Sequence, residues 1–307
     1  MYIIRGLINL PDRLRGAVLT IGNFDGVHRG HQRLFEQLKR LGHKHQAPTM
    51  AMTFEPHPRR VLRPQQPLDR ITGVRGKARW MKHHGLDAMF ICRFTKRLQA
   101  LPPEIFVRDL LADGLNIREV VIGENFRFGK KGAGDFDTLS ELGKKYGFGA
   151  HKAELLSDGG FTVSSTRVRQ AIRQCDFKSA ELLLDRPFEI EGRVVTGMKR
   201  GRALGFPTAN LALNHVLHPP KGVYLVEGRV GDQWLPAIAN IGTNPTFGDE
   251  GLHMEVHMLV PCSDLYHRNL RIKFHAFVRE ERKFPDIEAL KAQIGADVAA
   301  AKAYFSL

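Results

Sequence analysis

Cysteine is scarce in this chain: three residues in 307, Cys92, Cys175 and Cys262, far apart and odd in number. That excludes a disulfide-stapled scaffold, and the lack of any Cys-x-x-Cys pair excludes a zinc ribbon; the usage suits a reducing compartment. No apolar run approaches the ~18 residues of a membrane span. The N-terminus carries Arg5 early and no long apolar stretch, so the reading is of a cytoplasmic protein with neither signal peptide nor membrane segment. Acidic residues are in deficit, 32 Asp plus Glu against 46 Lys plus Arg, for a formal net charge of +14. Such a balance favours anionic partners, and nucleotides, other phosphate esters and nucleic acid all qualify. With 43% hydrophobic and 25% charged residues the chain reads as globular, and its length allows two domains of ordinary size.

The most informative stretch is Gly22-Asn23-Phe24-Asp25-Gly26-Val27-His28-Arg29-Gly30-His31. Before it, residues 17–21 (Ala-Val-Leu-Thr-Ile) have the pattern of a strand covered on both faces. After it, Leu34, Phe35, Leu38 and Leu41 recur at a helical period, with Arg33, Glu36, Gln37, Lys39 and Arg40 on the other face. A strand that turns through glycines into a helix start aims backbone N–H groups and the positive dipole end at one spot, a ready anion site. His28 and His31, three residues apart, project to the same side and suit hydrogen bonding to phosphate oxygens. The same pair also suits a metal or a helix cap, although a zinc ion would be short of ligands with only Asp25 nearby. Gly30 lets a ligand come close to backbone.

Further strands are predicted at 49–54, 88–92 and 120–122, with helices at about 72–84 and 103–113 between them. Glu55-Pro56-His57-Pro58 forbids continuation of either helix or sheet. This alternation implies a parallel sheet with helices on both faces and ligands at the carboxyl ends of its strands. The Gly22–His31 stretch, Glu55 to Pro58 and Gly123-Glu124-Asn125-Phe126-Arg127-Phe128-Gly129 all fall at such ends. The last is no P-loop: its glycines are one residue too far apart, and Lys131 stands where Ser or Thr is needed. Phe126 and Phe128 suit either the core or stacking on a flat ring. Val163-Ser164-Ser165-Thr166-Arg167-Val168-Arg169 opens a helix; its serine suits an N-cap, and its hydroxyls and arginines suit a triphosphate.

Composition shifts at Asp185-Arg186-Pro187, a predicted domain boundary. Beyond it, short β-like runs at 190–196, 222–230, 234–241, 254–260 and 270–278, punctuated by Gly and Pro, predict a small antiparallel barrel. A helix at about 286–304, with Ile287, Leu290, Ile294 and Val298 on one face, is expected to cover it. Gly197-Met198-Lys199-Arg200-Gly201-Arg202-Ala203-Leu204-Gly205 is a flexible basic loop that suits nucleotide phosphates, a solvated hairpin or nucleic acid. It leads into Phe206-Pro207-Thr208-Ala209-Asn210, where Thr208 and Asn210 face one side of an extended segment as two neutral oxygens fit to hold Mg²⁺. Alternation likewise puts His253, Glu255 and His257 on one face, suited to a metal.

These motifs together resemble the bacterial bifunctional riboflavin kinase/FMN adenylyltransferase (FAD synthetase) family. The resemblance runs through GNFDGVHRGH (an HxGH signature), TFEPHP, GENFRFG, the SSTxxR stretch, GRALGFPTANL, the segments around Asn240 and Glu255, and Phe277 to Phe284. It implies an N-terminal α/β Rossmann-like nucleotidyltransferase domain, residues 1–184, and a C-terminal antiparallel β-barrel kinase domain with a closing helix, residues 185–307. In the barrel, riboflavin would be phosphorylated by ATP with Mg²⁺ to FMN; in the first domain FMN would attack a second ATP to give FAD and pyrophosphate. By the same resemblance His28, His31, Arg169 and Glu255 would be catalytic. ATP would meet Gly22, Asn23, Phe24, Asn125, Ser165, Thr166, Lys199, Arg200, Gly201 and Gly205. Flavin would meet Phe54, Pro56, Phe128 and Arg279, and Mg²⁺ would meet Thr208 and Asn210. The chain departs from the family at Asn125 (commonly Asp), Gly132 (Arg) and His267 (Gly). The partners implied are small molecules, with neither nucleic acid nor membrane; the oligomeric state stays open. Retention of only one activity, or a basic nucleic-acid-binding module, are the alternatives.

Overall fold

The computed structural model describes residues 1–66, 68–154, 163–195, 205–213, 216–243, 252–263 and 265–307. Its contacts sort into two compact units, Met1–Leu68 with Val74–Ser164, and Asp69–Gly73 with Ser165–Leu307.

The first unit is built on a sheet of six strands: β1 (Tyr2–Arg5), β2 (Val18–Ile21), β3 (Thr49–Glu55), β4 (Ala88–Arg93), β5 (Glu119–Ile122) and β6 (Gly149–Lys152). Their order is β1-β4-β3-β2-β5-β6, and every pairing is parallel. Parallel neighbours need crossovers, and the helices supply them: α1 (Arg29–His45), α2 (Val74–His83) and α3 (Phe136–Tyr146) among others. Alternate residues of the central strands feed two cores. Leu19, Ile21, Met50, Met52 and Phe90 meet Phe106 and Leu139 on one face, and Val18, Ala51 and Met89 meet Phe35, Leu38 and Met81 on the other. This is why β2 is buried at all four positions.

The sequence names the four inner strands and misses β1 and β6. Both are edge strands, and β6 reads Gly-Ala-His-Lys with no fully buried position, so the apolar signal is absent. Two local expectations are corrected. Pro58 does not stop the chain: it occupies the first turn of a short helix, Pro58–Leu62, where a missing N–H costs nothing, and the His57 ring accepts from the Arg59 N–H at 3.2 Å. Gln37, assigned to the polar face of α1, is buried; its amide donates to the Lys152 carbonyl at 3.0 Å and accepts from the Glu154 N–H.

The second unit is a closed barrel of β7 (Glu189–Val195), β8 (Ala209–Ala212), β9 (Gly222–Val230), β10 (Gln233–Thr243), β11 (Leu252–Met258) and β12 (Asn269–Arg279). The order is β10-β11-β8-β7-β12-β9 with all neighbours antiparallel, which leaves no open edge. Tyr224, Val226, Ala239, Met254 and Val256 are among the residues of its core. Helices α4 (Ser165–Arg173) and α5 (Phe177–Leu184) add Val168, Ile172, Phe177 and Leu184 to that same core. Contacts therefore divide the chain earlier than composition does: Pro187 ends a helix locally, whereas core membership follows the apolar faces of α4 and α5.

The last helix, α6 (Ile287–Tyr304), covers a second patch of the barrel formed by Val223, Leu225 and Ile238. Of the face expected to bury, Val298 and Ile294 pack on the barrel and Ile287 does not. Ile287 begins the helix behind the Asp286 cap and stands 65% exposed, while Val298, Ala301 and Asp297 are buried. His267 sits in the left-handed region at φ 61°, its N–H donating to the Val194 carbonyl at 3.1 Å.

Candidate functional site

A parallel sheet gathers the carboxyl ends of its strands at one edge. There the chain leaves β2, whose following Gly22 N–H donates to the Met52 carbonyl at 3.0 Å, and enters α1 through a tight loop. Phe24, Gly26 and Val27 all adopt positive φ, 46°, 89° and 44°. For a phenylalanine and a β-branched valine that costs roughly 1–3 kcal/mol each, and both side chains are held there by complete burial in the core.

This strained loop delivers His28 immediately before α1 and His31 to its first turn. The two imidazoles stack with centroids 3.6 Å apart and planes at 18°, and Phe24 meets His31 edge-on at 5.3 Å. Both rings thus lie at the N-terminal, positive end of α1. The role expected of Gly30 changes, because a Cβ there would lie 3.3 Å from the His28 ring and 3.5 Å from the Val163 carbonyl. The glycine makes room for the stacked rings and for the passing chain. Phe24, expected beside ATP, turns its ring into the core against Phe35 and is fully buried.

Around the same edge, Asn23 is exposed after β2, Phe54 and Pro56 are half-buried at the end of β3, and Asn125 is exposed after β5. Phe54 sets its ring edge-on to Phe94 at 5.7 Å. Phe128 is a correction: expected at flavin, it is a core aromatic, 6% exposed, packed on Phe106 and Phe126 and overlying Gly134. Hydrophobic burial wins over ring stacking at this position. Ser165 and Thr166 open α4, and Arg169 is buried, its Nε donating to the Asp69 carbonyl at 3.2 Å.

On the barrel, Met254 and Val256 point inward, which turns His253, Glu255 and His257 to the other face of β11. Strand register places Asn240 of β10 and Asn210 of β8 directly opposite Glu255 on its two sides. Opposed residues share a face, so an amide, a carboxylate and an amide form a row across three strands. Glu255, Asn240 and Thr208 line a cavity of about 420 Å³ whose apolar walls include Ile238, Phe284, Leu290 and Ile294. A neighbouring cavity of about 860 Å³ is lined by Gly205, Pro207, Cys262 and Tyr266 among others. The two share Phe206, Thr208, His257 and Val298. His257 Nδ1–H donates to the Pro207 carbonyl at 2.9 Å, tying β11 to the segment before β8.

Among the described residues no group of three His, Cys, Asp or Glu side chains is arranged to hold a metal. Lys199, Arg200 and Gly201 lie outside the described residues. Asn240 and Asp297 are not assigned to a site by the sequence alone. Asn240 needs the strand register, and Asp297 betrays itself only as an acid on the apolar stripe of α6.

The FAD synthetase family model matches residues 10–167, and the riboflavin kinase model matches residues 184–305. The bifunctional riboflavin kinase/FMN adenylyltransferase of Escherichia coli K12 is 42% identical over 100% of this chain and 99% of its own length. That of Pseudomonas fluorescens is 44% identical over 99% and 97%. A crystal structure from Streptococcus pneumoniae, named a macrolide-efflux protein, superposes with a TM-score of 0.83 at 29% identity, covering 98% of this chain and 99% of that one. The efflux name is that protein's own; among the described residues here no helix is long and apolar enough to cross a membrane. A nucleotidyltransferase-like sheet with its histidine pair, a kinase-like barrel with its carboxylate, and matches of this extent agree: the chain belongs to the bifunctional riboflavin kinase/FMN adenylyltransferase family.

Proposed function

We propose that this chain makes FAD from riboflavin in two ATP-dependent steps, one on each unit. The observation that carries this is the pair of adjoining cavities on the barrel, which meet at Thr208 and His257 beside Glu255. Two ligands placed in them meet at a carboxylate. In the kinase step Glu255 accepts the proton of the riboflavin ribityl 5′-hydroxyl as its oxygen attacks the γ-phosphorus of ATP, giving FMN and ADP. Thr208 and Asn210 fit Mg²⁺, because hard cations take oxygen ligands and phosphates complete the shell; the ion would neutralise charge on the transferring phosphoryl group.

In the second step an FMN phosphate oxygen attacks the α-phosphorus of another ATP and pyrophosphate leaves. The substrate brings the nucleophile, so the protein supplies position and charge. His28 and His31 stand at the helix N-terminus where phosphate is favoured. Gly22, Asn23, the Phe24 backbone and Asn125 surround ATP, and Phe54 and Pro56 lie toward the flavin. By the family resemblance Ser165, Thr166 and Arg169 hold the outer phosphates. Residues 1–184 would carry adenylylation and 185–307 phosphorylation, a division supported by the kinase match beginning at 184. A cytoplasmic site of action suits the three free thiols.

Purified protein incubated with riboflavin, ATP and Mg²⁺, its flavins separated on a column, should yield FMN and FAD. Formation of neither overturns the reading, and a missing second product reduces it to one activity.

A further inference from the structure

Arg279 ends β12 at the 420 Å³ cavity, and Asp297 faces it from α6. Arg279 Nε donates to the two carboxylate oxygens of Asp297 at 3.0 and 3.1 Å, and Nη2 donates to Oδ2 at 2.6 Å. Nη1 donates to the Glu280 carbonyl at 3.0 Å. One turn earlier on α6, Gln293 donates to Asp297 Oδ1 at 2.7 Å and accepts from Arg282, another lining residue.

Asp297 is 6% exposed and lies on the stripe that Leu290, Ile294, Val298 and Ala301 make against the barrel. An apolar residue there would stabilise the helix at least as well as a buried ion pair, so the pair is better explained by the geometry it fixes. Asp297 and the Glu280 carbonyl engage three of the five N–H groups of Arg279, which fixes the plane of its guanidinium.

We propose that Asp297 is a positioning residue of the kinase site: it clasps Arg279, locks α6 to the end of β12, and so holds the Leu290 and Ile294 wall at the distance the flavin ring requires. This rests on the reading that the cavity takes riboflavin.

The test uses the full chain and the variants Asp297→Asn, Arg279→Lys and the two combined. Riboflavin binding is read by quenching of its fluorescence, alongside KM for riboflavin and ATP, thermal midpoints, and hydrogen exchange of α6. Each single variant should weaken riboflavin about 10-fold with the ATP KM within about twofold, and the double variant should be no weaker than either single. FMN adenylylation should be unchanged, and α6 should exchange faster while the barrel strands do not. Wild-type riboflavin affinity in Asp297→Asn, or a loss of rate that only follows the folded fraction, overturns the proposal. If the wild-type chain neither binds nor phosphorylates riboflavin, the functional reading falls; the clasp is then judged by exchange, where unchanged α6 protection in Asp297→Asn overturns it.

Discussion

Asn240 stands directly opposite Glu255 across the β10–β11 ladder, with its amide on the carboxylate's face of the sheet. A hydrogen bond from this amide to the charged phosphate of a bound substrate would contribute about 1.5–3 kcal/mol, so replacing Asn240 by Leu, which keeps the volume and removes the amide, should slow riboflavin phosphorylation ~10- to 100-fold. FMN adenylylation by the same preparation should stay at its original rate. Steady-state assays of the two steps, each started from its own flavin, check this.

His31 lies in the stacked imidazole pair at the start of α1. His31→Ala should lower FMN adenylylation on the order of 100- to 1000-fold and spare riboflavin phosphorylation. Glu255→Ala should do the reverse. Loss of both activities from either change, in a protein with an unaltered thermal midpoint, would disprove the assignment of one chemistry to each unit.

The left-handed backbone of His267 predicts a stabilising substitution. A non-glycine residue pays roughly 1–2 kcal/mol in that region, and glycine returns ~0.5–1 kcal/mol of this through its freer unfolded chain. His267→Gly should therefore raise the stability of the barrel by about 0.5–1 kcal/mol, seen as a higher urea midpoint with unchanged slope.

Burial lifts the Cys92 thiol from 9.0 to about 11. Above pH 9 the unfolded thiol ionises while the folded one stays protonated, so the unfolded state binds fewer protons and stability falls as pH rises from 9 towards 11. The loss amounts to about 2–3 kcal/mol when complete. Urea unfolding of the first unit at pH 8 and pH 10.5 should show this slope, and Cys92→Ala should lower stability at pH 8 but flatten the dependence.

Much of this was written in local pattern. The buried Val-Leu-Thr-Ile run, the glycines before His28, and the alternation that turns Glu255 away from Met254 and Val256 needed only periods of two and 3.6. Other features needed partners distant in sequence. Phe128 carries the same signal whether it stacks on a ligand or on Phe106, and only Gly134 lying against it decides. Asn240 meets Glu255 through a register, and Asp297 reads as a flaw in an apolar stripe until Arg279 is brought to it. Leu and Val at helical spacing announce that α4 and α5 bury a face, without saying against which core.

The stretch Asp69–Gly73 belongs with the barrel although the chain on both sides of it does not. Ile71 is 2% exposed in the barrel core, Arg70 accepts from the Leu217 N–H at 2.8 Å, and Asp69 receives Arg169. The polypeptide therefore passes between the two units three times. A gene cut at codon 185 would encode a barrel lacking this stretch and both helices beneath it, with their greasy sides left open to water. Neither unit's apolar core is therefore encoded by one uninterrupted length of the chain.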